Sequence, residues 1–155
     1  MKTLIVFVSF IVATSAHLCL LNPHQRGSMD NINSAGTPDC GLLKEPCGGR
    51  AVGTPAIKIK AGSPYTVIFQ KNLCHYVSNT TMGYFQIGFW TGDMCKVLAK
   101  VNDGPMPSLT IYTENVTMPA GPLGVPSILQ VTYVTNNKEV PAGGTFYQCS
   151  DIELY

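Results

Sequence analysis

The sequence predicts an all-β fold, an immunoglobulin- or fibronectin-like antiparallel β-sandwich with long disulfide-pinned loops. About seven short apolar or alternating segments recur at regular spacing, a pattern typical of a β-sandwich. The 155 residues include 15 glycines and 11 prolines. These residues favour many turns, and they interrupt every long segment whose apolar residues could repeat with the period of an α-helix. Residues 17–155 are therefore expected to form a single domain.

Residues 1–16 have the features of a secretory signal peptide. Lys2 precedes the apolar run Leu4–Ala13, and small residues occupy the −3 and −1 positions of a cleavage site ahead of His17. The run of about ten apolar residues is too short to span a bilayer, which needs roughly 20. Cleavage after Ala16 would make His17 the first residue of a secreted protein. The C-terminus carries no apolar tail, so we expect neither a transmembrane helix nor a lipid anchor.

The cysteine count agrees with secretion. Six cysteines in a secreted chain predict three disulfides whose pairing the sequence does not determine. Zinc fingers use close pairs of ligands, and no CxxC pair occurs here. Two sequons, which begin at Asn79 and Asn115, predict N-glycosylation on surface loops. The six cysteines are Cys19, Cys40, Cys47, Cys74, Cys95 and Cys149.

The predicted strands follow a Gly-, Pro- and Asn-rich loop region that spans residues 17–55. Ala56–Lys60 and Tyr65–Gln70 are expected to form a hairpin, because Ala-Gly-Ser-Pro between them supplies a turn. The aromatic segment Tyr84–Trp90 is expected to pack in the core. The other predicted strands are Cys95–Val101, which could also be a short helix, Leu109–Glu114, Ile128–Thr135 and Thr145–Cys149.

Composition and motifs exclude several classes of function. The ten Lys and Arg residues are scattered and nearly balanced by nine Asp and Glu residues, so the chain has no basic patch for nucleic acid. The sequence contains no GxSxG elbow, P-loop, dinucleotide fingerprint or HExxH motif. A glycosidase needs two facing carboxylates, and no two acids can be paired from sequence alone.

The three histidines, His17, His24 and His75, carry the strongest functional signal. A histidine at a free N-terminus can bind one metal ion through both its α-amine and its Nδ1 atom. The α-amine has a pKa near 8, so a divalent metal can displace its proton at neutral pH. A second histidine would complete a planar set of three nitrogens, which favours Cu(II). His75 is the candidate, because the predicted disulfide of Cys74 would hold its loop; taken alone, it also fits an ordinary hydrogen-bonded histidine.

The segments HLCLLNPHQRGS, GTPDCG, PCGG, KNLCHY and FYQCSDIEL resemble the lytic polysaccharide monooxygenase-like copper proteins, and within them the branch that includes the fungal copper acquisition factors. The resemblance implies an immunoglobulin-like β-sandwich with a copper histidine brace. It implies His17 and His75 as the brace histidines and Asp151 as the carboxylate ligand that this branch adds. His24 lies in a loop where the family pattern has no ligand, and Asp93 is the alternative carboxylate.

Two functions follow from such a site. An ionised Asp151 on the metal would favour Cu(II) over Cu(I) and occupy space that an oxidant needs. We therefore expect a secreted, monomeric protein that binds one Cu(II) ion, in copper binding, acquisition or homeostasis, and does not oxidise polysaccharides. The alternative is a secreted copper-dependent lytic polysaccharide monooxygenase, and a third reading is a disulfide-rich interaction module with an incidental His17. An extracellular glycan or protein partner stays open.

Overall fold

The structure, a computed structural model, describes residues 17–155 and confirms the all-β sandwich. Eight strands and three 3-10 helices of three or four residues are found in this range, and none of these helices is long and apolar enough to cross a membrane. The predicted signal peptide lies outside the described residues. The strands are β1 (His17–Asn22), β2 (Ile57–Ile59), β3 (Pro64–Leu73), β4 (Tyr84–Thr91), β5 (Met94–Asn102), β6 (Thr110–Thr117), β7 (Pro126–Val134) and β8 (Thr145–Leu154).

The strands form a three-stranded sheet, in the order β1-β3-β6, and a five-stranded sheet, in the order β2-β8-β7-β4-β5. The described ladders are antiparallel except for β2 and β8, which run parallel. Alternation along β4 shows how the core forms, because Phe85, Ile87 and Phe89 are buried while Tyr84 and Gln86 are only half-buried. Side chains that face inward from both sheets thus make one apolar core.

Two local predictions are wrong. β2 and β3 do not form a hairpin, because β2 pairs with β8 in one sheet and β3 pairs with β1 and β6 in the other. The connection is held by hydrogen bonds from Ala61 N–H to the Tyr155 carbonyl and from Gly62 N–H to the Pro119 carbonyl. The loop region predicted for residues 17–55 also contains a strand, β1. The first four residues of β1 are all buried, so this strand shows no alternation of apolar and polar residues that the sequence could reveal.

The cysteines form two disulfides in the structure, Cys19–Cys40 and Cys47–Cys149. Both join the long loops between β1 and β2 to strands, β1 in the first case and β8 in the second. The predicted disulfide-pinned loops are therefore confirmed, but the predicted third bridge is wrong, since Cys74 and Cys95 are free thiols.

Cys74 and Cys95 lie near opposite ends of β4. Cys74 is the first residue after β3 and lies near Lys71, whose ammonium group binds Asp103. The N–H of Asp103 donates to the carbonyl of Gly83, which directly precedes β4. Cys74 is therefore close to the beginning of β4. Cys95 pairs with the next-to-last residue of β4. Most of that strand, roughly 20 Å, separates the two cysteines, whereas a disulfide requires Cα atoms within about 7 Å.

The two sequon asparagines are both exposed, Asn79 in the loop before β4 and Asn115 on β6 rather than in a loop. Exposure is what a glycan acceptor needs, because the attached sugar is bulky and hydrated. Glycosylation at these two positions stays a prediction.

Candidate metal centre

Pairing between β1 and β3 brings His17 close to His75. His17 is the first residue of β1 and pairs with Leu73, the last residue of β3, and His75 follows two residues later. Paired Cα atoms lie about 5 Å apart, and each further residue adds at most about 3.6 Å. The two histidine Cα atoms therefore lie within about 12 Å, which two side chains directed at one metal ion can span. Both histidines are buried.

Gly41 sets the orientation of the His17 ring. A Cβ atom at Gly41 would lie 2.6 Å from Nε2 and 2.9 Å from Cδ2 of His17, too close for either atom. The backbone of Gly41 has φ −94°, which any residue can adopt, so this position needs glycine for the space it leaves. Since the Nε2 edge of the ring faces Gly41, Nδ1 lies on the other edge. Nδ1 is the atom that closes a chelate ring with the α-amine of His17, so this ring orientation fits a metal.

Two contacts hold the Gly41 loop against the histidines. The disulfide Cys19–Cys40 joins the residue before Gly41 to β1, two residues beyond His17. The buried side chain of Asn72 accepts a hydrogen bond from Gly36 N–H at 2.8 Å. Asn72 lies on β3 next to the residue that pairs with His17, so both contacts act at this end of the sandwich.

Phe146 covers one face of the His75 ring. The two ring centroids lie 6.5 Å apart with an angle of 26° between the ring planes, and Phe146 is fully buried. Phe146 is the second residue of β8 and precedes Tyr147, whose N–H donates to the carbonyl of Leu42 in the Gly41 loop. A phenyl ring offers no ligand atom, so Phe146 contributes packing here and no metal bond.

Asp151 is not brought to the histidine pair. It lies on β8 five residues beyond Phe146, roughly 16 Å along the strand. Its Oδ1 and Oδ2 atoms accept hydrogen bonds from the guanidinium of Arg26 at 2.5 Å and 2.8 Å, and Oδ2 also accepts from Gly53 N–H at 3.0 Å. The pair is buried, with side chains 7% and 9% exposed. Asp151 therefore serves as the partner of Arg26, and we leave it out of the proposed ligand set.

The remaining sequence candidates also lie elsewhere. His24 is exposed and lines, together with Arg26 and Asp151, a separate cavity of about 230 Å³. Asp93 is exposed in the turn between β4 and β5. Within residues 17–155, no group of three or more His, Cys, Asp or Glu side chains could hold a metal.

Sequence reasoning missed a set of polar residues beneath His75, which we call the buried polar cluster: Lys71, Asp103 and Tyr133. Lys71 Nζ lies 2.6 Å from Asp103 Oδ1, and both side chains are fully buried. The hydroxyl of Tyr133 donates to Asp103 Oδ2 at 2.7 Å. Burial and, next, this hydrogen bond to Asp103 raise the pKa of Tyr133 far above its usual range. The phenol therefore stays protonated and acts as a hydrogen-bond donor.

One signal in the sequence could have found the cluster. The end of β3 reads Gln70-Lys71-Asn72, three polar residues in a strand that is otherwise largely apolar, and all three are buried. A charged residue in a buried strand needs a partner of opposite charge. The partner, Asp103, follows β5 and comes from a distant part of the chain, so the pair could not be assigned from the sequence alone.

No protein-family model matches the chain, and no curated protein matches it. Among solved structures, it is similar to the lytic polysaccharide monooxygenase AA15 from Thermobia domestica in the Cu(I) state, with a TM-score of 0.55 and 15% identity over 89% of this chain and 98% of that chain. A superoxide reductase (neelaredoxin) from Ignicoccus hospitalis has a TM-score of 0.45 and 14% identity over 63% of this chain and 74% of that chain, a likeness too low to carry an argument. The β-sandwich of this chain is therefore lytic polysaccharide monooxygenase-like in fold.

Proposed function

We propose that this chain is a secreted copper-binding protein that holds one Cu(II) ion through the α-amine and Nδ1 of His17 and an imidazole nitrogen of His75. The observation that carries the proposal is the β1–β3 register, which pairs His17 with Leu73, two residues ahead of His75. The space left by Gly41 supports it, because the Nε2 edge of His17 faces that glycine and Nδ1 lies on the opposite edge of the ring.

The donor set favours copper over other divalent metals. Three nitrogen donors without a thiolate or carboxylate suit Cu(II), which also binds most tightly among the divalent first-row metals. The solved structure of similar fold is described in its Cu(I) state, in agreement with this choice. Copper would supply a cation that changes between two oxidation states at the surface of the sandwich.

The residues of the chain have separate roles in this proposal. The α-amine of His17 can bind only if cleavage after Ala16 frees it from a peptide bond. Gly41 leaves space for the His17 ring, and Phe146 packs on the His75 ring without adding a ligand. The amine must lose a proton and the imidazoles must be neutral, so we expect the affinity for Cu(II) to fall as the pH is lowered through their pKa range.

A copper monooxygenase acting on polysaccharides is the second candidate. The sequence argument against it placed Asp151 on the metal, and Asp151 instead binds Arg26. The similarity in fold to an AA15 monooxygenase also favours this candidate. We retain copper binding as the main proposal, because it requires the histidine pair alone. A glycan oxidase also requires a surface for sugar, and the cavity beside His75 is a hollow of about 240 Å³ with one tyrosine, Tyr76, in its lining.

A copper titration followed by a glycan assay tests both candidates. Metal-free protein beginning at His17 should bind one equivalent of Cu(II), and much more weakly Zn(II), in a competition titration with a chelator. The copper-loaded protein is then incubated with cellulose, chitin or xylan together with a reductant, and the products are examined by mass spectrometry. We expect no oxidised oligosaccharides. Oxidised products from this protein that are absent from a form blocked at the His17 amine would establish the monooxygenase instead.

A further inference from the structure

The loop between β3 and β4 carries the sequon Asn79-Thr80-Thr81 on an exposed turn. All three residues are exposed. The hydroxyl of Thr80 donates to the carbonyl of Val77 at 2.8 Å, which holds the turn. Asn79 has φ +65°, in the left-handed region that asparagine adopts more readily than most residues. The turn therefore presents the Asn79 amide at the surface, where a bulky, hydrated glycan can be attached.

A hollow of about 530 Å³, which we call the loop hollow, lies beside the sequon. It is formed by this loop and by the loop that follows β7, and Asn136 Nδ2 donates to the carbonyl of Met82 between the two loops at 2.8 Å. Apart from Val77, the lining side chains are amides, hydroxyls and one group of each charge, Lys138 and Glu139. These side chains both donate and accept hydrogen bonds, as the hydroxyl groups of a sugar require.

The loop hollow continues into the hollow of about 240 Å³ at His75. Val77 and Asn137 line both of them. Asn79 follows His75 by four residues, so their Cα atoms lie within about 14 Å of each other. The core of an N-glycan has a length of that order. Sugars attached to Asn79 can therefore extend over both hollows.

We propose that an N-glycan on Asn79 occupies the loop hollow and covers the His75 side of the copper site. In its attachment, Nδ2 of Asn79 bonds to the anomeric carbon of a lipid-linked oligosaccharide. The bond from that carbon to the lipid pyrophosphate breaks, and the amide loses one proton. A metal ion can pass such a glycan, whereas a solid polysaccharide surface cannot approach through it. The meaning for copper rests on the proposed function, but the position of the glycan does not.

The test uses the glycoprotein secreted from eukaryotic cells and compares Asn79→Gln with Asn115→Gln. Glutamine keeps the amide but is not a glycan acceptor. Asn115 is the matched control, because it carries the other sequon and pairs with Thr66 on β3. Thr66 precedes Leu73, the partner of His17, by seven residues, roughly 23 Å along the strand. A glycan on Asn115 therefore lies far from the proposed site.

The two free thiols report how far a large molecule can approach. Cys74 lines the hollow at His75, and Cys95 is exposed and serves as the internal reference. The rate at which a polymer-linked maleimide modifies Cys74, relative to Cys95, should rise severalfold in Asn79→Gln and stay unchanged in Asn115→Gln. The same ratio measured with iodoacetamide, a small reagent, should change much less. The affinity for Cu(II) should be equal in all three proteins.

Hydrogen exchange provides a second measurement that needs neither thiols nor a substitution at Asn79. Backbone amides of residues 136–139 should exchange more slowly in glycosylated Asn115→Gln protein than after enzymatic removal of its remaining glycan. An Asn79 without glycan in the mass spectrum of the secreted protein would overturn the inference, as would an occupied Asn79 whose removal changes neither the exchange nor the thiol rates. A protein that shows these effects but binds no copper would overturn the proposed function alone.

Discussion

Asp151 shows that the presence of an acidic residue in a family-like segment, here FYQCSDIEL, does not establish what its carboxylate binds. A carboxylate close to the C-terminus can bind a metal, a cation or water, and only the fold decides which of these lies beside it. Here the partner is Arg26, 125 positions away along the chain. The resemblance implied Asp151 as a carboxylate ligand of the metal, whereas the structure places its charge in an ion pair within the sandwich.

The Asp151→Asn variant separates the two roles. It keeps the shape of the side chain but leaves the guanidinium of Arg26 buried without an opposite charge. Removing the charge of one partner of a buried ion pair costs roughly 3–5 kcal/mol. The free energy of unfolding, measured in denaturant, should therefore fall by about that amount. The Cu(II) spin resonance spectrum should be unchanged. A changed spectrum with unchanged stability would restore Asp151 as a ligand.

The Gly41→Ala variant tests the position of the His17 ring. The added methyl group would lie 2.6 Å from Nε2, so the ring must move, and Cu(II) affinity should fall about 10-fold or more. The backbone at this position suits alanine, so any loss of stability should come from the displaced ring and stay within roughly 1–3 kcal/mol. Gly104→Ala is the control, since an added Cβ there meets no heavy atom within 4 Å. Equal affinity of the two variants would show that the Gly41 space is unrelated to metal binding.

At the scale of elements, the sequence predicts strands well and their partners poorly. The alternation in β7 and the aromatic segment of β4 identify both strands, because each has one buried face. β1 was missed because its residues are buried on both faces and the period of two disappears. The β2–β3 hairpin was wrong because a short Gly-containing connection between two strands can also join two different sheets.

The thiol content tests the arrangement of the loops. The structure predicts two free thiols, Cys74 and Cys95, and two disulfides. Denatured, unreduced protein beginning at His17 should therefore react with two equivalents of a thiol reagent. Reduction should then raise the intact mass by about four hydrogens, not the six that three disulfides require. A protein without free thiols would mean that Cys74 and Cys95 pair within one chain or between two chains.

The loops ahead of β2 should respond to acid. A hydrogen bond from Ser28 and then the guanidinium of Arg50 lower the pKa of Asp39 below its usual value of 3.8. A carboxyl group with a lowered pKa in the folded state stabilises the fold above its unfolded pKa, and this contribution is lost as the pH falls through the folded value. Ser28→Ala should therefore lower the free energy of unfolding at pH 6, and this difference should shrink as the pH falls below 3.8 and through the lowered pKa of Asp39. A difference that does not change with pH would contradict this assignment.

At the scale of the whole molecule, the sandwich places the proposed copper ligands at one end and the Arg26–Asp151 ion pair at the other. The histidines lie where β1 begins and β3 ends, while Arg26 and Asp151 lie beyond the other end of β1. The sequence predicts His17 and His75 as ligands from local features, an N-terminal histidine and a second histidine, and their role in metal binding stays a prediction. It could not predict Gly41 or Phe146 as their neighbours, because those contacts depend on how two sheets meet.

The central claim is that the α-amine and the imidazole of His17 bind one copper ion together with His75. The most direct test measures the Cu(II) dissociation constant of protein beginning at His17 and of the same protein with the His17 amine acetylated. Acetylation keeps every side chain but removes the amine as a donor, so affinity should fall at least about 100-fold. His75→Ala should cause a comparable loss and His24→Ala none. Equal affinities with and without the acetyl group would contradict the account.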